Sequence, residues 1–283
     1  MNPPFPPFTR KLLAEGFGTF LLVFLGCGAV HTAVLLGSQS GIWQVAIVWG
    51  LAIMLAIFCV DSISGAHLNP AMTVSFAFWG RHPWKHVLPY VASQLAGAIL
   101  AASILFFLFQ GFLVAKENEK QVTRGSEGSI VTAMCYGEYS PNPGSIASSQ
   151  GPFRQADWDA LRSKFGQGSA FVAEFLGTMI LAIVVFAVTD SKNTARPGAN
   201  LAPVFIGLTV SALISVLAPL TQAGFNPARD FGPRVFAYFA GWGRIALPGL
   251  DNWSWLLVYI VAPVLGAVAG GGAYRLLSFK HQG

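Results

Sequence analysis

Ser64-Gly65-Ala66-His67-Leu68-Asn69-Pro70-Ala71 and Gln222-Ala223-Gly224-Phe225-Asn226-Pro227-Ala228-Arg229-Asp230 decide how this chain reads. Each stretch sets Asn directly before Pro at the end of a long apolar run, and the Asn residues, 69 and 226, lie 157 apart. Asn caps helix N-termini through its side-chain oxygen, and Pro at the first helical position gives up an N–H that no helix uses. Each copy therefore starts a helix from inside an apolar region. Unpaired backbone at that depth is tolerated only where protein buries it or where it lines a wet cavity. Two matching helix starts point to a pathway through a membrane.

Composition agrees. Of 283 residues, 54% are hydrophobic and 10% charged, against about 25% charged in a soluble domain. The chain reads as an integral membrane protein. Its net charge of +5 comes from short inter-helix segments, which suits anionic lipid headgroups of the bilayer rather than nucleic acid. Cys27, Cys59 and Cys135 form neither a disulfide framework nor a metal-ligand spacing. No cofactor is expected, because nothing pairs a nucleophile with a base or forms a phosphate-binding glycine loop. The proline-rich start before Arg10-Lys11 does not resemble a cleaved signal peptide.

Apolar runs long enough to span a bilayer, roughly 20 residues each, fall at 12–36, 42–61, 87–113, 169–189, 201–219 and 254–277. Shorter runs at 70–79 and 227–239 follow the Asn-Pro pairs and read as re-entrant half-helices. The fold class is thus an all-α membrane protein of six transmembrane helices and two half-helices. Ala14-Glu15-Gly16-Phe17-Gly18-Thr19 returns as Ala173-Glu174-Phe175-Leu176-Gly177-Thr178, and Gly50-Leu51 returns as Gly207-Leu208. Three spans per half give the copies opposite orientation, an inverted repeat with its site near the midplane. The expected organisation is one channel domain over 1–283, with repeat halves at 12–113 and 169–277 around an external loop at 114–168. Within that loop Asp157-Trp158-Asp159-Ala160-Leu161 reads equally as a short helix or as ordered loop.

Arg10, Lys11, Arg81, Lys85, Lys192, Arg196, Arg275 and Lys280 fall on one side, and the bias of short-loop Lys and Arg makes that side cytoplasmic. Both termini are then cytoplasmic. Half-helices meeting head to head aim two positive dipole ends at the pore centre. A cation or proton there meets a positive barrier with no compensating carboxylate. Asn69 and Asn226 can cap their helices while offering amide N–H groups to a solute. The backbone before them (Gly65, Ala66, His67, Leu68 and Gln222, Ala223, Gly224, Phe225) is expected to run extended and turn carbonyls to the lumen. Arg229, a charge at membrane depth, is a functional residue by default. Glu15 and Glu174, at equivalent places, read as structural acceptors for the two loops, with a proton relay as the other reading. His67 reads as a loop brace at the edge of the lumen, and Asp61 as either vestibule wall or solvated helix end.

Two Asn-Pro-Ala copies in inverted halves resemble the aquaporin family. Arg229-Asp230-Phe231-Gly232-Pro233-Arg234, the context of Asn69-Pro70-Ala71, and Gly241-Trp242-Gly243 look like its glycerol-facilitator branch. The resemblance implies a passive channel for small uncharged solutes: glycerol, with water, urea and neutral metalloid hydroxides such as arsenous acid as further candidates. It also implies a homotetramer with one pore per subunit. The family's constriction maps here onto Trp49, Ile214, Ala223 and Arg229. Glycerol facilitators carry Gly at the Ile214 position and Phe at the Ala223 position. The set here is more similar to the plant nodulin-like branch, as is Tyr259-Ile260 where glycerol facilitators have Pro-Leu. Asp230 is nevertheless the glycerol-branch residue, expected to order its loop by pairing with Arg234. Competing readings are a water or metalloid-hydroxide pore with little glycerol flux, a proton-coupled transporter using Glu15 and Glu174, and a junction protein with a closed pore. No enzyme activity is expected. Short tails without targeting signals suggest a bacterial inner membrane.

Overall fold

The computed structural model describes residues 5–247 and 253–278, and every regular element among them is helical. The elements follow the apolar pattern in order: α1 Pro7–Leu36, α2 Ile42–Ser64, the half-helix α3 Pro70–Phe78, and α4 Val87–Glu119. After the long loop, which carries the short helix α5 Gln155–Arg162, come α6 Gln167–Thr189 and α7 Ala202–Thr221. The second half-helix is α8 Pro227–Ala237, and the last span ends in α9 Ala262–Ser278. Among the described residues six helical segments are long and apolar enough to cross a membrane, the last running Ser254–Ser278. Their outward faces carry exposed Leu88, Phe107 and Val216, as a lipid-facing surface requires.

Differences from the apolar pattern have local causes. The first helix begins at Pro7 rather than 12, because proline at the first helical position is compatible with the turn. Helix α4 runs to Glu119 rather than 113, its last turn closed by a Lys116–Glu119 pair at 2.9 Å. The last span contains a π turn, Leu257–Val261, in which the Ala262 N–H reaches back to the Leu257 carbonyl. Pro263 has no N–H for the Tyr259 carbonyl, so the ladder widens there. Asp157 to Leu161 are helical within α5.

The halves interlock crosswise. Helix α1 packs on α2 and α4, α6 packs on α9 and α7, and α2 crosses α7 between the halves. Half-helix α3 lies against α9 and half-helix α8 against α4, so each half seats the other's half-helix. At the α2–α7 crossing Gly50 faces Gly207, and a Cβ on either would fall within 2.7 Å of the other's carbonyl oxygen. Only glycine lets those backbones approach so closely.

We call the end of the bundle where α1 starts and α9 finishes the inner end. The long loop sits at the outer end, and it is more than a polar connection. Ile130, Val131, Met134, Cys135, Tyr136 and Tyr139 are buried with Leu113, Trp158 and Trp242 in a second apolar core. Trp242, between Gly241 and Gly243, is fully buried and donates its indole N–H to the Thr132 hydroxyl at 3.1 Å. The Arg124 guanidinium lies 4.2 Å from its ring centroid. Gly241-Trp242-Gly243 is therefore the anchor of the outer loop.

Candidate functional site

Each half-helix starts as its sequence dictates. Asn69 Oδ1 accepts the Ala71 N–H at 2.8 Å, and Asn226 Oδ1 accepts those of Ala228 and Arg229 at 3.0 and 3.3 Å. Pro70 and Pro227 occupy the first helical positions. The Asn side chains then lock the halves together. Asn69 Nδ2 donates to the Phe225 carbonyl at 2.9 Å, and Asn226 Nδ2 donates to the Leu68 carbonyl at 2.8 Å. A primary amide has two N–H donors, so one on each Asn remains for a passing solute.

The loops before the Asn residues are not extended. Gly65, Ala66 and Leu68 have φ of 87°, 45° and 53°, and Gln222, Ala223 and Phe225 have 61°, 60° and 53°. Left-handed backbone is costly for residues other than glycine, so something must hold it. Glu15 does so for the first loop, accepting from the N–H groups of His67 and Leu68 at 2.9 and 2.8 Å and from the Ser64 hydroxyl at 2.7 Å. Glu174 does the same for Gly224 and Phe225 at 3.0 and 2.8 Å and for the Thr221 hydroxyl at 2.6 Å. Both carboxylates are fully buried, and neither lines the cavities described below. With each N–H tied inward, the carbonyls of residues 65–67 and 222–224 take no hydrogen bond among the described residues.

Two cavities lead toward this junction from opposite ends and share no lining residue. The inner one, about 290 Å³, is lined by Gly65, Ala66, His67, Leu68, Asn69 and Asn226, by apolar side chains including Leu22, Ile57 and Val210, and by Asp61 and Arg196 at its mouth. Asp61 is thus vestibule wall. His67 braces the loop through Nδ1 to the Thr73 hydroxyl at 3.2 Å, and its ring meets that of His82 at 4.6 Å. Burial pushes His82, in the turn after α3, below the usual histidine range, so it is neutral at pH 7.

The outer cavity, about 220 Å³, is walled by Trp49, Ile214, Gln222 and Arg229. Arg229 is 4% exposed and its guanidinium carbon sits 4.1 Å from the Trp49 ring centroid. Ala223, buried at 2% exposure, is not in that wall, and the neighbouring Gln222 is. Gln222 is held by the long loop: its amide N–H donates to the Met134 carbonyl at 3.2 Å and its oxygen accepts the Tyr139 N–H at 2.9 Å.

A carboxylate accompanies Arg229. Glu138, from the long loop, forms an ion pair with Arg229 and lines the same cavity. Three atoms of Glu138 are tied to α8: the carboxylate to Arg229, the N–H to Asp230 Oδ1 at 2.7 Å, and the carbonyl to the Arg234 guanidinium. Asp230 also accepts from Arg234 Nε at 2.7 Å, the pairing expected from the sequence. Sequence reasoning passed over Glu138 because it lies in an unrepeated loop. The signal available was its position after Ile130-Val131 and Met134-Cys135-Tyr136, since an apolar run inside a polar loop is buried and a carboxylate beside it must find a partner.

The comparisons with known proteins agree with this architecture. A family model described as "Major intrinsic protein" matches residues 5–274. A glycerol uptake facilitator protein of Pseudomonas aeruginosa is 36% identical over 98% of this chain and 92% of its own length. Its namesake in Escherichia coli is 36% identical over 96% and 89%. A propanediol uptake facilitator of Citrobacter freundii is 36% identical over 96% and 93%. Among solved structures, the aquaglyceroporin of Plasmodium falciparum shares the fold at a TM-score of 0.76, with 23% identity, 94% of this chain and 95% of that chain covered. Half-helices that seat crosswise, each tied to the opposite loop through its capping Asn side chain, are thus found where the family model and its relatives extend over nearly all of the sequence, and the chain belongs to the major intrinsic protein family.

Proposed function

We propose that this multi-pass membrane protein is a passive channel for glycerol and other small uncharged solutes, with water using the same route. The observation that carries the reading is Arg229 facing Trp49 at 4.1 Å in the wall of the outer cavity. The guanidinium stacks on the Trp49 ring, so the wall they share offers hydrogen-bond donors from Arg229 beside apolar surface from Val45 and Ile214. Glycerol has hydroxyls along one edge and C–H groups along the other, and it fits such a wall in one orientation. The relatives named for glycerol and propanediol uptake support the same solute class.

Trp49, Ile214 and Arg229 act as the selectivity filter in this reading, with Ala223 shaping the backbone behind Gln222. The free carbonyls of residues 65–67 and 222–224 and the spare N–H of Asn69 and Asn226 form the hydrogen-bonding track. The two half-helix N-termini repel cations at its centre. Glu15 and Glu174 lie outside both cavities, which favours passive flow over proton coupling. We further propose a transport rather than an enzymatic role and a homotetramer with one pore per subunit. The Lys and Arg bias favours both termini cytoplasmic, and the bacterial glycerol facilitators among the relatives favour a bacterial inner membrane.

Stopped-flow light scattering on proteoliposomes tests this. Vesicles should shrink fast in an impermeant osmolyte and re-swell fast in glycerol. Ile214→Trp should slow re-swelling about tenfold or more, which is about 1.4 kcal/mol of added barrier. Fast shrinkage without glycerol re-swelling would overturn the glycerol assignment and leave a water or small-hydroxide pore.

A further inference from the structure

We propose that Glu138 is a specificity-determining residue of the constriction: it cancels the charge of Arg229 and gives the filter an acceptor beside its donors. The inference rests on the channel reading above. A guanidinium has five N–H donors and no acceptor, whereas every solute hydroxyl is both. Arg229 satisfies only the oxygen lone pairs of a polyol, so its O–H groups depend on the carbonyls of residues 222–224 and on any acceptor beside the guanidinium. The Glu138 carboxylate lies in the same wall, ion-paired to Arg229, with lone pairs left over for a solute O–H.

Charge is the second half of the argument. The constriction holds Arg229 and Arg234 against Glu138 and Asp230, all buried. Asp230 is matched by Arg234 at 2.7 Å, so Glu138 is what neutralises Arg229. Without it the outer wall would carry one uncompensated positive charge, close to two half-helix N-termini that are themselves positive. Such a site attracts small anions. Without Arg229 the Glu138 carboxylate loses its cation, takes up a proton and becomes a proton-exchanging group in the wall. Charge balance, rather than a positive barrier alone, is what makes this constriction ion-tight. The backbone ties of Glu138 to Asp230 and Arg234 anchor the residue against α8 beside Arg229, so the pairing is built into the fold.

The test is a charge cycle in planar bilayers and proteoliposomes, using Glu138→Gln, Arg229→Val and the double variant. Gln keeps the shape and an acceptor while removing the charge. The original protein should pass no formate or proton current. Glu138→Gln should raise formate over cation permeability about tenfold or more, the factor that about 1.4 kcal/mol of barrier produces. Arg229→Val should leak protons instead. The double variant, neutral again, should return to low ion current of either sign while glycerol loses its orientation at the filter and slows. Both single variants remaining ion-tight would overturn the proposal. So would leaks of the same sign in all three, because that marks a loosened loop rather than a charge effect. If Glu138→Gln fails to fold, Arg229→Val against the double variant still decides, since only a charge role predicts that removing Glu138 seals the leak. Glycerol re-swelling of the original protein is recorded in the same vesicles. Its absence together with opposite-sign leaks would refute the glycerol reading and leave the charge role standing.

Discussion

In the first repeat Glu15 gathers Ser64, His67 and Leu68, and the Tyr90 hydroxyl closes the loop by donating to the Ser64 carbonyl at 3.0 Å. In the second, Glu174 gathers Thr221, Gly224 and Phe225, and Tyr259 donates to the Thr221 carbonyl at 3.1 Å. The bonds from each loop to its carboxylate are the same, yet the two loops open onto different walls. The first faces an apolar inner cavity with His67 at its edge, and the second faces Arg229, Glu138 and Trp49. Scaffold and selectivity are therefore separable here. The repeat supplies the bent backbone twice, and the unrepeated residues around the second copy supply the chemistry.

The hardest way to break the symmetry is to remove the braces. Glu174→Ala strands two buried N–H groups and a hydroxyl, each costing about 1–3 kcal/mol. Glu15→Ala strands the same set, but its half contains Gln94, which donates to Glu15 at 2.8 Å and to Thr73 at 3.1 Å and has a buried Oε1 with no partner among the described residues. That oxygen can turn to accept an orphaned N–H. The Tyr90–Tyr259 correspondence places Pro263 opposite Gln94, which offers nothing comparable. Glu174→Ala is therefore expected to give no folded protein by size-exclusion chromatography, and Glu15→Ala a reduced but recoverable amount. Equal recovery would mean that Gln94 lends no support.

A smaller effect comes from the glycines behind each loop. A Cβ at Gly18 would meet the Leu68 methyl at 2.5 Å, whereas one at Gly177 would fall inside the Phe225 ring. A leucine tip can rotate away and a phenyl ring between packed helices cannot. Gly177→Ala should destabilise by about 1–3 kcal/mol, as overpacked cores do, and Gly18→Ala by less. Thermal unfolding in detergent reads the difference, and Phe225→Leu should rescue Gly177→Ala. Failure of that rescue would show that the α6 backbone, rather than the ring, sets the limit.

Repetition also explains what could be read from the sequence. The half-helices, the spans and the role of Glu15 and Glu174 were visible because each occurs twice, at matching offsets, in two independent contexts. The Asp230–Arg234 pair was visible because four residues on one helix are neighbours. Glu138 occurs once, in a loop whose path is fixed by distant partners such as Trp242 and Gln222, and local pattern is silent there. The left-handed turns at Ala66, Leu68, Ala223 and Phe225 were missed for another reason. Residues with a Cβ disfavour that backbone, and it is held by the buried carboxylates, acting from 50 or more residues away on Leu68 and Phe225, together with the Ser64 and Thr221 hydroxyls they fix, which accept from Ala66 and Ala223.

The gentlest probe is the tyrosine pair. Tyr90 and Tyr259 each donate to the carbonyl of the last residue before the left-handed stretch, at 3.0 and 3.1 Å, and both are buried. Deleting one hydroxyl removes a single neutral hydrogen bond, so Tyr→Phe should cost only about 1 kcal/mol. If the halves share the load, Tyr90→Phe and Tyr259→Phe will lower the unfolding temperature equally, and the double variant will show their sum, as sites on separate loops do. Tyr90 also packs against the rings of His67 and His82, at 5.1 and 4.6 Å, and those contacts survive loss of the hydroxyl. Tyr259 has instead the Arg234 guanidinium 5.2 Å from its ring centroid, within reach of the charge network around Glu138. A larger effect at Tyr259, with slower glycerol re-swelling than in Tyr90→Phe, would mean that the second loop's brace also positions the constriction. Scaffold and selectivity would then be coupled through this one ring.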